Sequence, residues 1–375
     1  MNKIKIAFII NYIKKSGPSS VLMNIVDCIS KEKYDITVIT LFEGNDEKIL
    51  NSLRNNNINV VEKNYKSRIK FMFRGQKEFL KRFRLLNFDI VHTHGFIPDC
   101  VFSKLKGLTK KISTVHCNLF EDYKEQYGKI RGYIYAWMHI FSLNRYDMVV
   151  CCSKSVKLAL RKYIKKAQYI LNGVSIEKSN IKVNRHELSI PEDAVVFIYA
   201  GGLTKRKNVL FLVDEFVKYH NKNEFLLILG EGNLYEQCKA KSDSNVRFLG
   251  FKQNPSNYFK LSDFYISASK SEGLSISLIE AMSYGLGLFL SDIPSHSEMI
   301  NLCSSIYIGE LFNKNNFNKK LQILRNNMYK INRENIRKLQ RSKLSAKSMS
   351  AQYEKVYTEM LGENNGKSKC HNSGL

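Results

Sequence analysis

The order of elements along the chain predicts an α/β protein made of two successive Rossmann-like domains, each a parallel sheet covered by helices. Three observations predict it. Short β-branched and aromatic runs alternate throughout with longer amphipathic stretches, the pattern of strands joined by helical crossovers. That series lapses into a polar stretch between Asn172 and Pro191 and then starts again, which places a hinge there. A chain of 375 residues is too long for one small core.

In the first half, strands are expected near Ile4–Ile10, Asp35–Leu41, Ile58–Val61, Ile90–His92, Ile112–Val115, Met148–Cys151 and Tyr169–Leu171. In the second half they are expected near Val195–Ala200, Phe225–Leu229, Val246–Leu249, Phe264–Ser267, Leu288–Leu290 and Ser305–Ile308. The first run is too short and lacks the cleavage site of a secretory signal, so it reads as a buried strand. Residues 313–361 read as helical. The expected division is 1–175 for an N-terminal domain, 176–345 for a C-terminal domain, 346–361 for a helix returning to the first, and 362–375 for a disordered polar tail.

Apolar residues make up 44% and charged residues 25%, which excludes a wholly disordered chain. No apolar run is long enough to span a bilayer. The eight cysteines contain no C-x-x-C pair, so neither a zinc site nor a disulfide framework is indicated and reduced thiols in a cytoplasmic protein are expected. The net charge of +25 points to an anionic partner: phosphorylated substrates, a membrane surface or nucleic acid. No recognisable nucleic-acid module accompanies it, and nucleic-acid binding ranks last.

The most informative stretch is Ser271-Glu272-Gly273-Leu274-Ser275-Ile276-Ser277-Leu278-Ile279-Glu280, followed by a helix closing at Gly285. Two carboxylates flank a helix start, where backbone N–H groups attract an anion and acidic side chains grip hydroxyls. Phosphate plus hydroxyls describes a nucleotide sugar. A competing account makes Ser277-Leu278-Ile279-Glu280 a capping box, with Glu280 serving only its own helix. After the strand at Val195–Ala200 comes Gly201-Gly202-Leu203-Thr204-Lys205-Arg206-Lys207, whose glycines permit close approach and whose cations suit a diphosphate. A basic surface turn is the alternative. Gly230-Glu231-Gly232 is a similar turn. Lys15-Ser16-Gly17-Pro18-Ser19-Ser20 is a glycine turn between the first strand and an amphipathic helix, open to a ligand or simply a βα loop. His92, His94 and His116 stand at strand ends whose loops are expected to share one face.

Lys63–Arg84 carries nine basic residues against Glu78 alone, interleaved with Phe71, Phe73, Phe79 and Phe83. This suits an anionic membrane surface; the alternative is a helix with a core face and a solvated charged face. Tyr133–Leu143, containing Trp137, reads as a buried helix, with an interfacial patch as its alternative.

Together these segments resemble glycosyltransferase family 4, the retaining, nucleotide-sugar-dependent enzymes of GT-B fold, and within it the transferases that build bacterial capsule, exopolysaccharide or O-antigen. The E-x7-E spacing of Glu272 and Glu280, followed by Asp292-Ile293-Pro294-Ser295-His296-Ser297-Glu298, carries most of the likeness. The resemblance implies two domains facing across a cleft. It implies that Glu272 contacts donor-sugar hydroxyls, Glu280 holds the ribose, Lys207 the diphosphate, and His116 approaches the donor sugar. Glu272, His116 and Lys207 are then the catalytic set. The nucleotide-sugar set is Gly17, Gly201, Gly202, Lys205, Arg206, Lys207, Gly230, Gly232, Leu249, Gly273, Leu274, Ser275, Ile276 and Glu280. The family carries arginine where this chain has Gly202, so Lys205 or Arg206 is expected to substitute. Its paired glycine in the first loop is reduced to Gly17-Pro18.

The implied reaction is transfer from a UDP-sugar to a lipid-linked saccharide at the inner face of the plasma membrane. No D-x-D motif is present, and neither metal nor cofactor is expected beyond the nucleotide sugar. A nucleotide-sugar epimerase of related architecture is the alternative.

Overall fold

The computed structural model describes residues 3–176 and 183–362, so the tail beyond Gly362 and part of the expected hinge lie outside the described residues. The chain forms two compact units, Met1–Gly173 with Ala346–Leu375, and Val174–Ser345.

In the first unit the described residues form a seven-stranded parallel sheet: β1 (Ile4–Ile10), β2 (Tyr34–Phe42), β3 (Asn59–Tyr65), β4 (Ile90–His94), β5 (Lys110–Val115), β6 (Met148–Cys151) and β7 (Ala167–Tyr169). The order is β3-β2-β1-β4-β5-β6-β7. β4 is buried along its whole length, as expected of a strand covered on both faces. In the second unit the described residues give six parallel strands: β8 (Val195–Ala200), β9 (Glu224–Leu229), β10 (Val246–Gly250), β11 (Phe264–Ser267), β12 (Gly287–Ser291) and β13 (Gly309–Phe312). Their order is β10-β9-β8-β11-β12-β13. Stacked Phe197 and Phe264 (5.2 Å) and tilted Phe289 and Phe312 (4.5 Å) tie neighbouring strands through this core.

Each sheet grows to one side and then resumes on the other, reversing at β1/β4 and at β8/β11. Such switch points leave a crevice at the carboxyl ends of the strands. In the second unit the loops after β8 and β11 border it.

The helix Ala346–Leu361 belongs to the first unit. Its buried residues Ala346, Met349, Ser350, Tyr353, Val356 and Tyr357 recur at helical spacing. The Ser350 hydroxyl donates to the Asn24 carbonyl of the helix Gly17–Cys28 at 3.2 Å, and Glu354 accepts from the Ser30 amide at 2.8 Å. Arg185, from the described end of the polar interval, donates to the carbonyls of Leu261 (2.9 Å) and Ala194 (2.8 Å), anchoring that stretch in the second unit.

β3 runs on to Tyr65, past the expected end at Val61, and two strands are displaced along the chain. The last lies at Gly309–Phe312, after Ser305–Ile308, because pairing begins only where the backbone can lie against β12. A Cβ at Gly309 would fall 1.7 Å from the Leu288 carbonyl oxygen. β7 ends at Tyr169 because its partner β6 ends at Cys151, the residue paired with it.

The two aromatic segments differ in how their rings are placed. Phe71, Phe79 and Phe83 are buried, with Phe83 and Phe102 edge to face at 4.8 Å, so the helix Gln76–Arg84 has a core face and a solvated charged face. Of that set Phe73 alone is exposed. Conversely, the helix Lys129–Leu143 is not fully buried: Tyr133, Ile134, Trp137, Met138 and Phe141 face solvent. No described helix is long and apolar enough to cross a membrane.

Candidate active site

The β8/β11 switch point brings together two segments separated by some sixty residues in sequence. The Lys270 amide donates to the Arg206 carbonyl at 2.9 Å, clamping the loop after β11 to the loop after β8. Around Glu272 the side chains converge. The Ser269 hydroxyl donates to Oε1 at 2.7 Å, Lys207 Nζ pairs with the same oxygen, and Arg206 Nη1 donates to Oε2 at 3.2 Å and to the Ser271 carbonyl at 2.7 Å. The Glu272 side chain is only 7% exposed. Burial alone would raise its pKa, but Lys207, Arg206 and the Ser269 hydrogen bond outweigh it and hold the carboxyl at about 2. Glu272 is therefore a fixed anion held by two cations. Of the two candidates for the arginine that Gly202 displaces, Arg206 turns to Glu272 and Lys205 is exposed.

The helix that follows spans Ile276–Ser283 and is capped by Ser275, whose hydroxyl accepts from the Leu278 amide at 3.4 Å. The cap lies two residues before the one a Ser277–Glu280 box requires. Glu280 therefore sits in the fifth helical position, half-buried, and the capping-box account of it fails. Gly273, Leu274 and Ser275 are buried at the helix start, with Ile276 half-buried. Tyr265 hydrogen-bonds Ser275 and Ser277; burial, with the charges of Glu272 and Glu280 added, pushes its hydroxyl up. Both carboxylates thus act on one side chain beneath the loop. Gly285 ends the helix at φ +77°, its amide donating to Met282 (2.9 Å) and that of Leu286 to Ala281 (3.3 Å), the paired bonds of a left-handed glycine stop.

The glycines divide by cause. A Cβ at Gly230 would lie 1.9 Å from the Gly201 carbonyl oxygen, and one at Gly232 2.4 Å from that of Leu203, so close packing of the two strand-end loops requires both. Gly202 is exposed, and its carbonyl accepts from the Tyr199 hydroxyl at 2.9 Å. Leu249 falls where the β9–β10 register slips, between Phe248 and Gly250. At Gly17 a Cβ would meet nothing within 4 Å, so the protein's own packing does not demand glycine there.

His296, to which the sequence pattern gives no role of its own, lies below the site. Its Nδ1 is 2.9 Å from the Ser291 carbonyl oxygen, and the Ser291 hydroxyl donates to the Ser269 carbonyl at 2.6 Å. Burial lowers its pKa to about 4, against the pull of Glu272, and its buried Nε2 has no protein partner. Its place just after β12, on the carboxyl side of the sheet, was the available signal.

In the first unit the three histidines do come together, in two roles. His92 is structural: its ring nitrogens meet the Tyr357 hydroxyl and the Thr114 hydroxyl, each at 2.7 Å, and Thr114 meets the Tyr353 hydroxyl at 2.8 Å. His94 Nδ1 lies 3.0 Å from His116 Nε2, and His94 Nε2 is buried without a protein partner. Burial keeps all three neutral, with His116 lowered to about 4.

Comparison with known proteins accords with this geometry. Residues 15–178 match the family model described as Glycosyltransferase Family 4, and residues 180–342 that of Glycosyl transferases group 1. The chain is 26% identical to the O-antigen biosynthesis glycosyltransferase WclY of Escherichia coli, over 96% of this chain and 99% of that one. It is 26% identical to an Escherichia coli UDP-Gal:alpha-D-GlcNAc-diphosphoundecaprenol alpha-1,3-galactosyltransferase, over 80% and 82%. Among solved structures, that of Anabaena HepE in complex with UDP and glucose superposes with a TM-score of 0.77 at 14% identity, over 95% of this chain and all of the other. With its two parallel-sheet units of GT-B type and both halves matched, the chain belongs to glycosyltransferase family 4.

Proposed function

We propose that the protein is a retaining, metal-independent transferase that moves a sugar from a UDP-sugar to a lipid-diphosphate-linked saccharide during assembly of a cell-surface polysaccharide. The observation that carries the proposal is the Lys207–Glu272–Arg206 cluster beside the start of the helix Ile276–Ser283. Departure of a diphosphate leaves a cation-like sugar and a growing negative charge. A helix N-terminus and two cations meet the second, and fixed carboxylates meet the first. In this reading Lys207 and Arg206 hold the diphosphate, Glu272 the sugar hydroxyls and Glu280 the ribose. The bond from the anomeric carbon to the diphosphate breaks. The acceptor oxygen bonds on the same face, and its proton passes to the departing phosphate. Glu272 stabilises charge and forms no covalent bond. His116 is assigned to the donor sugar by family resemblance. Relatives named for O-antigen and undecaprenol-linked substrates support the acceptor class, which would place the enzyme at the inner membrane surface.

The test is transfer by purified Glu272→Ala and Lys207→Ala proteins, with product configuration read by NMR. Loss of transfer in both, and an unchanged anomeric configuration in the wild-type product, are expected. Wild-type rates in Glu272→Ala, or an inverted product, would refute it.

A further inference from the structure

The helix Lys129–Leu143 carries an apolar face that its own unit leaves uncovered. Ile130, Tyr133, Ile134, Trp137, Met138 and Phe141 recur at helical spacing and are each between 48% and 79% exposed. They form one stripe along the helix. The orientation is fixed from the other side. Gly132, Ala136, Ile140 and Leu143 are buried, and a Cβ at Gly132 would lie 2.5 Å from the Lys124 amide nitrogen. His139 is held between Asp99 and Tyr123, at 2.7 Å from each. Rolling the helix to hide the stripe would break those contacts. A contiguous exposed patch of this kind marks an interaction surface.

Cations stand at both of its ends. Lys129 and Arg131 stand at the start of the helix, and Arg145 lies over the Phe141 ring at 4.3 Å. Tyr163 packs edge to face on Trp137 (5.3 Å), and its carbonyl accepts from the Asn144 amide group at 2.9 Å. This brings exposed Lys162, Lys165 and Lys166 to the end of the helix, around a hollow they share with Asn144.

We propose that this face docks on an anionic phospholipid bilayer, with the stripe sunk to the headgroup–acyl boundary and the cations on the lipid phosphates. An apolar stripe with cations at its ends suits an interfacial helix, and tryptophan and tyrosine favour that depth. A second copy of the chain fits worse, since a two-fold contact would set cation against cation. The inference deepens the membrane partner of the proposed function and rests on that reading for its purpose, not for its geometry. It is tested with neither donor nor acceptor present, so its failure would leave the transferase assignment standing.

Trp137 is the chain's single tryptophan, so its emission reports on this face alone. With vesicles of phosphatidylglycerol and phosphatidylcholine the protein should sediment, and Trp137 emission should shift to the blue and be quenched by brominated lipid. With phosphatidylcholine alone, or at high salt, partitioning should fall steeply. The triple change Lys162→Gln, Lys165→Gln and Lys166→Gln should weaken binding roughly a hundred-fold, each cation near an anionic surface being worth about five-fold. Ile134→Ser with Phe141→Ser should weaken it by roughly ten-fold or more. All five positions are exposed, so thermal unfolding should not change. Three results would overturn the proposal. The wild type stays in the supernatant, or it sediments with Trp137 emission unmoved, or the Ile134→Ser/Phe141→Ser pair abolishes a concentration-dependent dimer instead of vesicle binding.

Discussion

Glu272 keeps its charge out of water because three donors meet its two oxygens, and that makes it a stability determinant whatever it binds. Its folded pKa of about 2 lies below the ordinary 4.5. The unfolded chain therefore takes up a proton first as pH falls. The stabilisation is complete above pH 4.5 and is lost between there and about 2; its full size is of order 3 kcal/mol. Glu272→Gln should flatten the dependence of unfolding free energy on pH in that window, and a slope equal to wild type would show that the ion pairs do not hold. The spacing of Glu272 and Glu280 was legible in the sequence. That Glu280 is not a cap was not, because which of two serines begins a helix is settled by backbone direction, and here Ser275 takes it.

At the scale of elements, the ladder Tyr357–His92–Thr114–Tyr353 ties the last helix into β4 and β5. Tyr357→Phe would leave a buried His92 nitrogen without its partner and should cost about 1–3 kcal/mol, read from chemical denaturation. Burial also depresses the pKa of His92 to about 3 and of His116 to about 4, from 6.5. Unfolding lets each take up a proton, so stability is whole above pH 6.5 and falls below it, by roughly 2 kcal/mol per histidine at pH 5. Amide exchange in β4, corrected for its intrinsic pH dependence, should quicken as pH drops from 6.5 to 5; constant protection would contradict buried neutral rings. Gly232→Ala should lower the unfolding midpoint by several degrees, because the new methyl meets the Leu203 backbone. The aromatic segments show the limit of composition. The Gln76 and Lys129 helices both carry rings and cations at helical spacing, and only their neighbours decide which face is inside.

For the whole molecule, the chain leaves the first unit after Gly173 and returns to it at Ala346. The returning helix supplies buried Tyr353 and Tyr357, so ending the chain at Ser345 should make the first unit susceptible to proteases that spare the full chain. Equal resistance would show that the helix is dispensable. Ligand binding acts at the same scale: a UDP-sugar at a hundred times its Kd should add about 2.7 kcal/mol of apparent stability. By itself the sequence determined most strands, the alternation that makes both sheets parallel, the glycine stop at Gly285 and the paired glutamates, because each depends on periodicity or backbone freedom over a few residues. It did not determine that β8 lies beside β11. That adjacency arises when the second sheet reverses its direction of growth, a choice made by packing helices on both faces, and it alone sets Lys207 and Arg206 against Glu272.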